Sequence, residues 1–344
     1  MDEMTPRDRF RAIMRFEAFD RLPVLEWAGW WDKTLSRWYQ EGLPQTLTEY
    51  DDIRRHFGLD VYRHAWLQPY GSVPRGSTRS DRQAGILART PDYDDARKMM
   101  YPAPDLARET WQQWAGEQEG GETVVWLQIN GFFWFPREIL GVERHLYAFY
   151  DEPSLIHRVN TDLLEWDIRL LDELCRVCTP DIAIFSEDMS YNHGPMLSKA
   201  CFDEFVAPYY RQIVPLLEDR GIVSFIDSDG DVTTPTGWFR EVGLEGLLPL
   251  ERQAGVDIGV LRKEDRSLRC IGHFDKLTMD KGEDSIRAEF EYLLPEAARG
   301  GFVIGCDHQT PPAVSYDAYK SYVALFKEYA REAGKLSQEH PAGF

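Results

Sequence analysis

Six stretches of the chain share one layout, a short apolar run of β-favouring residues that ends on polar or ionisable side chains. They are VVWLQING (124–131), DIAIFSEDM (181–189), IVSFIDSDGD (222–231), EGLLPLER (245–252), LRCIGHFDK (268–276) and GFVIGCDHQ (301–309). Continuous apolar runs of this length are what parallel strands covered on both faces require. Segments of helical pattern separate most of them: 136–150 and 153–176, then 198–219, 236–242, 256–266 and 282–299. A helix over 106–116 precedes the first of the six, and an amphipathic helix over 315–331 follows the last.

The N-terminal third is less regular. Residues 5–17 predict a helix, with Thr5 as N-cap, Pro6 in the first turn and Phe10, Ile13, Met14 and Phe16 as its apolar positions. Val24–Trp27 reads as a first strand, an aromatic helix-like segment runs on to Tyr39, and another strand falls near Val61. That makes about eight β units, which suits an α/β fold of the (β/α)8, TIM-barrel type better than a doubly wound sheet. No G-x-G-x-x-G follows any strand. Residues 57–103 are rich in Gly, Pro, Arg and Asp, and HAWLQPYG and GILARTPDY read as parts of an antiparallel β insertion or lid in the barrel's first half. The expectation is one domain over 1–344 that ends in a polar, frayed tail at 332–344.

Composition narrows the function. Hydrophobic residues make up 43% of the chain, enough for a substantial core, and the eleven Trp and sixteen Tyr suit a large, partly polar-lined cavity. A net charge of −19 argues against nucleic acid and against an anionic membrane surface as partner. Five scattered cysteines do not make a disulfide framework, and Cys175 and Cys178 have no companion pair for zinc. The charged N-terminus lacks the apolar core of a signal peptide, and no window approaches a membrane span. A cytoplasmic protein is expected.

In parallel barrels the C-terminal strand ends form the active face. Glu187, Asp188, Asp227, Asp229, Glu251, His273, Asp275, Lys276, Cys306, Asp307 and His308 are therefore expected to converge on one mouth. The Asp227–Asp231 stretch lacks the spacing and closing Glu of a calcium loop, leaving either a polar turn or a functional carboxylate pair. In SEDMSYNHGP, the adjacent Glu187 and Asp188 cannot point the same way along a strand, and Asn192 and Gly194-Pro195 are turn signals in their own right. Cys306, Asp307 and His308 offer a metal site, a nucleophile with a base, or an acid–base pair, against the plainer alternative of a core Cys beside an Asp–His hydrogen bond.

Seven segments follow one another along the chain: MTPRDRFRAIMRFEAFDRLPV, GVERHLYAFYDEPSLIHRV, SEDMSYNHGPMLSKACFDEFVAPYYRQIV, FIDSDGD, GLEGLLPLERQAGVDI, IGHFDK and a closing PPAVSYDAY. In these segments and their order the chain resembles the uroporphyrinogen decarboxylase superfamily, which also holds the corrinoid:thiol and methoxyl-linked methyltransferases. The resemblance covers almost the whole chain and implies a distorted (β/α)8 barrel with its pocket at the strand C-termini. Two departures matter. Where true uroporphyrinogen decarboxylases carry an arginine-rich stretch for the substrate's carboxylates, this chain has LEWAGWWDK, with Glu26 and Trp residues. Where the thiol-methylating enzymes hold zinc with His-x-Cys and a distant Cys, it has Asp227-Ser228-Asp229 and Cys306, a set suited to a harder divalent metal, to weakly held zinc, or to none.

The expected activity is methyl transfer between a small substrate and a corrinoid (cobalamin) on a separate carrier protein. The alternative is an acid–base lyase, decarboxylase or hydrolase of a small polar molecule, with or without metal. A non-catalytic tetrapyrrole binder is a third option. Expected catalytic residues are Asp307, His308 (oriented by Asp307), Tyr191 and Glu187. Substrate or cofactor contacts fall to Glu26, Trp27, Asn130, Asp188, His193, Glu251, His273, Asp275 and Lys276, and any metal to Asp227, Asp229 and Cys306. The resemblance also implies a homodimer.

Overall fold

The computed structural model describes residues 3–76, 78–103 and 107–339. Its strands are β1 (Arg63–Trp66), β2 (Val125–Asn130), β3 (Ile182–Ser186), β4 (Ser190–Tyr191), β5 (Gly194–Pro195), β6 (Val223–Asp227), β7 (Gly246–Leu248), β8 (Arg269–Phe274) and β9 (Phe302–Cys306). Seven of them form a parallel sheet in the order β1-β2-β3-β6-β7-β8-β9, and β4 and β5 make a small antiparallel ladder of their own. Every residue of β3 and β9 is buried, as strands covered on both faces demand. All six apolar runs became sheet strands, and the fold is the expected α/β barrel of TIM type.

The eighth position belongs to the extended segment 22–27, which enters no ladder. Asp60 clamps it on one flank: its N–H donates to the Val24 carbonyl and its carboxylate accepts the Val24 N–H, each at 2.8 Å. On the other flank the buried Glu26 carboxylate accepts the Cys306 N–H at 3.1 Å, in place of a neighbouring strand's carbonyl. The segment therefore closes the barrel as an irregular stave rather than as the regular first strand expected at Val24–Trp27. Pro23, which has no N–H to give, fits that irregularity.

Helices cover the outer face. Thr5 caps Pro6–Met14 by accepting the Asp8 N–H at 3.1 Å, and Ser198 caps Lys199–Phe205 by accepting that of Cys201 at 3.2 Å. A helix over Tyr50–Phe57 was not foreseen. Among the described residues of 57–103 there is no antiparallel pair. β1 pairs parallel with β2, and GILARTPDY forms a 3-10 turn at Ile86–Ala88 and the start of a helix at Tyr93–Arg97, which Asp92 caps. The expected helix start at 106 lies outside the described residues; Arg108–Glu119 is helical.

The C-terminal tail differs as well. Helix Tyr316–Glu339 runs eight residues past the expected end at 331. Gly334 lets it approach the chain closely, since a Cβ there would lie 2.0 Å from the Asp20 carbonyl oxygen. Residues 340–344 of the expected tail lie outside the described residues.

Candidate active site

The C-terminal strand ends enclose a cavity of about 390 Å³, in the range of small-molecule sites. Its aromatic wall is Trp27, Tyr62, Trp66 and Trp126, and its carboxylates are Asp188, Asp227 and Asp229. His64, Gln128, His308 and Gln309 complete the polar lining. No Lys or Arg is among its lining residues. Tyr62 and Trp126 pack with ring centroids 4.4 Å apart, and Trp27 meets His308 edge-on at 6.3 Å. The Tyr62 hydroxyl donates to the Trp27 carbonyl at 2.7 Å, and Trp27 Nε1 donates to the Cys306 carbonyl at 2.6 Å, so both rings are fixed.

The three carboxylates lie close enough to perturb one another. Burial first, and then the charges of Asp188 and Asp229, hold Asp227 well above the ordinary aspartate range. Asp229 is pushed up to about 7 by burial, then by Asp188 and Glu251. Asp188 is raised by burial, against the pull of the Asp229 N–H. Among the described residues none of the three is ion-paired with Lys or Arg; the nearest basic group is His308, whose Nε2 lies 3.9 Å from Asp229 Oδ2, beyond hydrogen-bond reach. Burial, then the charge of Lys276, lowers the His308 pKa.

A chain of hydrogen bonds crosses the floor. Gln128 Nε2 donates to Ser186 Oγ at 2.7 Å and to Asp227 Oδ2 at 3.1 Å. Its carbonyl oxygen then faces His64 Nε2 at 2.8 Å, so that nitrogen carries the hydrogen and Nδ1 is the ring's acceptor. Burial lowers the His64 pKa. The sequence reading missed His64, Trp66, Trp126 and Gln128, although a signal existed: 64 and 66, like 126 and 128, are alternate positions facing one side of a strand.

Of the expected site residues, Trp27, Asp188, Asp227, Asp229 and His308 do meet in the cavity. Others serve the frame. Glu187 is buried away from it, accepting the N–H groups of Phe132, Phe133 and Trp134 at 2.8–2.9 Å and the Tyr210 hydroxyl. Glu26 accepts from Tyr322 at 2.7 Å and from Cys306. Asn130 bridges the Tyr70 hydroxyl and Trp66 Nε1. His273 donates from Nδ1 to the Leu250 carbonyl and accepts the Ile258 N–H at Nε2, and burial lowers its pKa to about 4. Glu251 accepts the Gly230 N–H, and Asp275 caps the turn at Leu277. Tyr191 and His193 stand on the exposed β4–β5 loop, their rings edge to face.

Two expected pairings are not made. Asp307 does not orient His308; it is fully buried and binds Lys276 Nζ at 2.9 Å and the Arg252 N–H at 3.1 Å. Nor do Asp227, Asp229 and Cys306 form a metal site. The Cys306 thiol lies against Glu26 and Thr310, at 3.5 and 3.8 Å, and burial first, then Glu26, raise its pKa well above the ordinary thiol value. Among the described residues no group of three or more His, Cys, Asp or Glu is arranged to hold a metal ion. Asp227, Asp229 and Cys306 thus do not fit the zinc that the thiol-methylating members of the family hold.

The uroporphyrinogen decarboxylase (URO-D) family profile matches residues 137–329, more than half of the chain, and the protein belongs to that family. No curated protein matches it in sequence. Among solved structures, a methyltransferase from Methanosarcina mazei aligns over 95% of this chain and 99% of its own at 16% identity, with a TM-score of 0.66, which establishes a shared fold. A D-psicose 3-epimerase (11% identity, 70% of this chain and 86% of that one) aligns with a TM-score of 0.27. A Bacillus endo-β-1,4-mannanase catalytic domain (10% identity, 95% and 96%) gives a TM-score of 0.34. No helix among the described residues is long and apolar enough to cross a membrane.

Proposed function

We propose that the protein is an enzyme that moves a methyl group between a small substrate, held in the strand-end cavity, and a corrinoid presented at the mouth by a separate carrier protein. The observation that carries this reading is the lining. Aromatic rings and carboxylates with no Lys or Arg suit a small methylated molecule, and they oppose the carboxylate-bearing substrate that a decarboxylase of this family would need. The overall likeness to a protein described as a methyltransferase supports it. About 390 Å³ accommodates a small donor but not a corrin macrocycle, so the carrier's group would abut the opening rather than enter.

In the transfer, the bond from methyl carbon to donor heteroatom breaks with its electron pair left on the heteroatom, and the methyl carbon bonds to the acceptor through the acceptor's pair. The corrinoid supplies the metal centre that takes up or gives the methyl group. The protein's own part is placement: the aromatic wall fixes the methyl group toward the opening, and positioning supplies much of the rate. Asp229, near pH 7 in pKa, can hand a proton to a departing oxygen or remain charged beside a departing nitrogen.

The test is to mix the protein with cob(I)alamin and a panel of O-, S- and N-methyl donors. Conversion of the cob(I)alamin absorbance to that of methylcobalamin with at least one class is expected. No spectral change with any donor would sink the reading. Asp229 also favours a second one, an acid–base lyase, because a carboxyl titrating near 7 beside a neutral imidazole is a competent proton donor. Turnover of a small polar substrate without corrinoid would select it.

A further inference from the structure

We infer that the substrate of this cavity is a cation, a small molecule whose methyl group sits on a positively charged nitrogen. This rests on the proposed function for the reaction but on separate observations for the charge. Asp188, Asp227 and Asp229 share one cavity, and among the described residues none is ion-paired with a Lys or Arg. Several carboxylates elsewhere in the protein's interior do have such partners: Asp181 binds Arg7 and Arg11, Asp162 binds Arg97, and Asp307 binds Lys276. Glu187 and Glu26, which lack one, are instead held by converging N–H and O–H donors. The three cavity aspartates have neither a cation in contact nor such a cluster of donors, and they line a space that a ligand can enter.

The opposite wall supplies the second observation. Trp27, Tyr62, Trp66 and Trp126 line the same space, and three of them are fixed by their own hydrogen bonds. Rings attract a cation through their quadrupole and enclose its methyl groups without offering hydrogen bonds, which a methylated nitrogen cannot use. A neutral ether would fill the rings but leave the carboxylates without a partner. An anion would be repelled. A methylated ammonium answers both walls, its charge meeting the carboxylates and its methyl groups the rings. It also suits the chemistry: loss of a methyl cation from a quaternary nitrogen leaves a neutral amine with its electron pair, so no proton need be supplied.

The test compares choline and tetramethylammonium with 3,3-dimethylbutan-1-ol, the uncharged isostere of choline, in calorimetric binding to the full chain without any corrinoid. Choline is expected to bind at least about tenfold tighter than the alcohol. Asp229→Asn and Trp66→Leu, both at solvent-reached positions, are expected to weaken choline by about threefold or more while leaving the alcohol nearly unchanged in Asp229→Asn. Equal binding of choline and the alcohol would overturn the inference, as would choline binding indifferent to both substitutions. The two proposals fail separately. Cation-selective binding with no methyl transfer to cob(I)alamin removes the reaction and keeps the ligand class. Demethylation of a methoxy donor by a protein that does not prefer choline does the reverse.

Discussion

Asp229 is a residue whose ionisation the folded protein feels directly. Burial and the charges of Asp188 and Glu251 hold its carboxyl near 7, whereas in the unfolded chain it titrates near the ordinary aspartate value of about 4. Between those two pH values the folded protein keeps a proton that the unfolded chain has lost. Stability therefore falls as pH rises from about 4 to about 7 and is level above that, as far as this group decides it. Asp229→Asn removes this group's share of the slope. At pH 8 the variant is expected to be more stable than the parent by about 1 kcal/mol, a figure kept small because solvent reaches the side chain. At pH 4 it should gain nothing. Urea unfolding at the two pH values checks this, and an equal difference at both would mean that the carboxyl is not raised. At this scale the sequence was half informative. It located the acids at the ends of β3 and β6, but not which of two neighbours would face the cavity. Asp188 does so from a left-handed backbone conformation (φ 38°), a local twist that aspartate tolerates and that strand alternation does not foretell.

At the scale of elements, Glu187 shows what the neighbouring acid is for. It leaves the end of β3 and reaches the first turn of helix Trp134–Leu140, where three backbone N–H groups converge on one carboxylate. Gly131 makes room, because a Cβ there would lie 2.1 Å from the Glu187 carboxyl carbon. Glu187→Ala strands those donors and the Tyr210 hydroxyl, and a loss of about 3–5 kcal/mol in stability is expected. Thermal unfolding measures it; a loss below about 1 kcal/mol would return Glu187 to the list of catalytic candidates. Strands and most helices were legible because continuous apolar runs and N-cap residues are local signals. GILARTPDY was not, since its apolar residues suit a strand while Gly85, with φ 76°, ends one helix and Asp92 starts another. The same local bias hid His64 and Gln128. Neither is unusual in sequence, and only the pairing of β1 with β2 sets one beside the other.

The whole molecule depends on how the barrel is closed. Residues 22–27 hold the eighth position largely through side chains, and Glu26 is the hub, buried completely among Tyr322, the Cys306 N–H and the Cys306 thiol. The last long helix thus reaches through Tyr322 to the gap between β9 and the first segment, a contact made across nearly 300 residues of chain that no local pattern could announce. The aspartate-rich cavity and this buried glutamate look alike in sequence, as acids at strand ends, and differ only in what surrounds them. Their variants should differ accordingly. Glu26→Gln puts an amide donor where three donors already point, and Tyr322→Phe removes one of those donors. Losses of about 2–3 and about 1–2 kcal/mol are expected in urea unfolding. Choline binding by the folded variants should stay within about twofold of the parent, because neither residue lines the cavity. Retained stability with lost binding in Glu26→Gln would instead place that carboxylate in contact with ligand. Loss of stability with binding kept would mean that Glu26 closes the barrel and takes no part in holding ligand, unlike the aspartates that line the cavity.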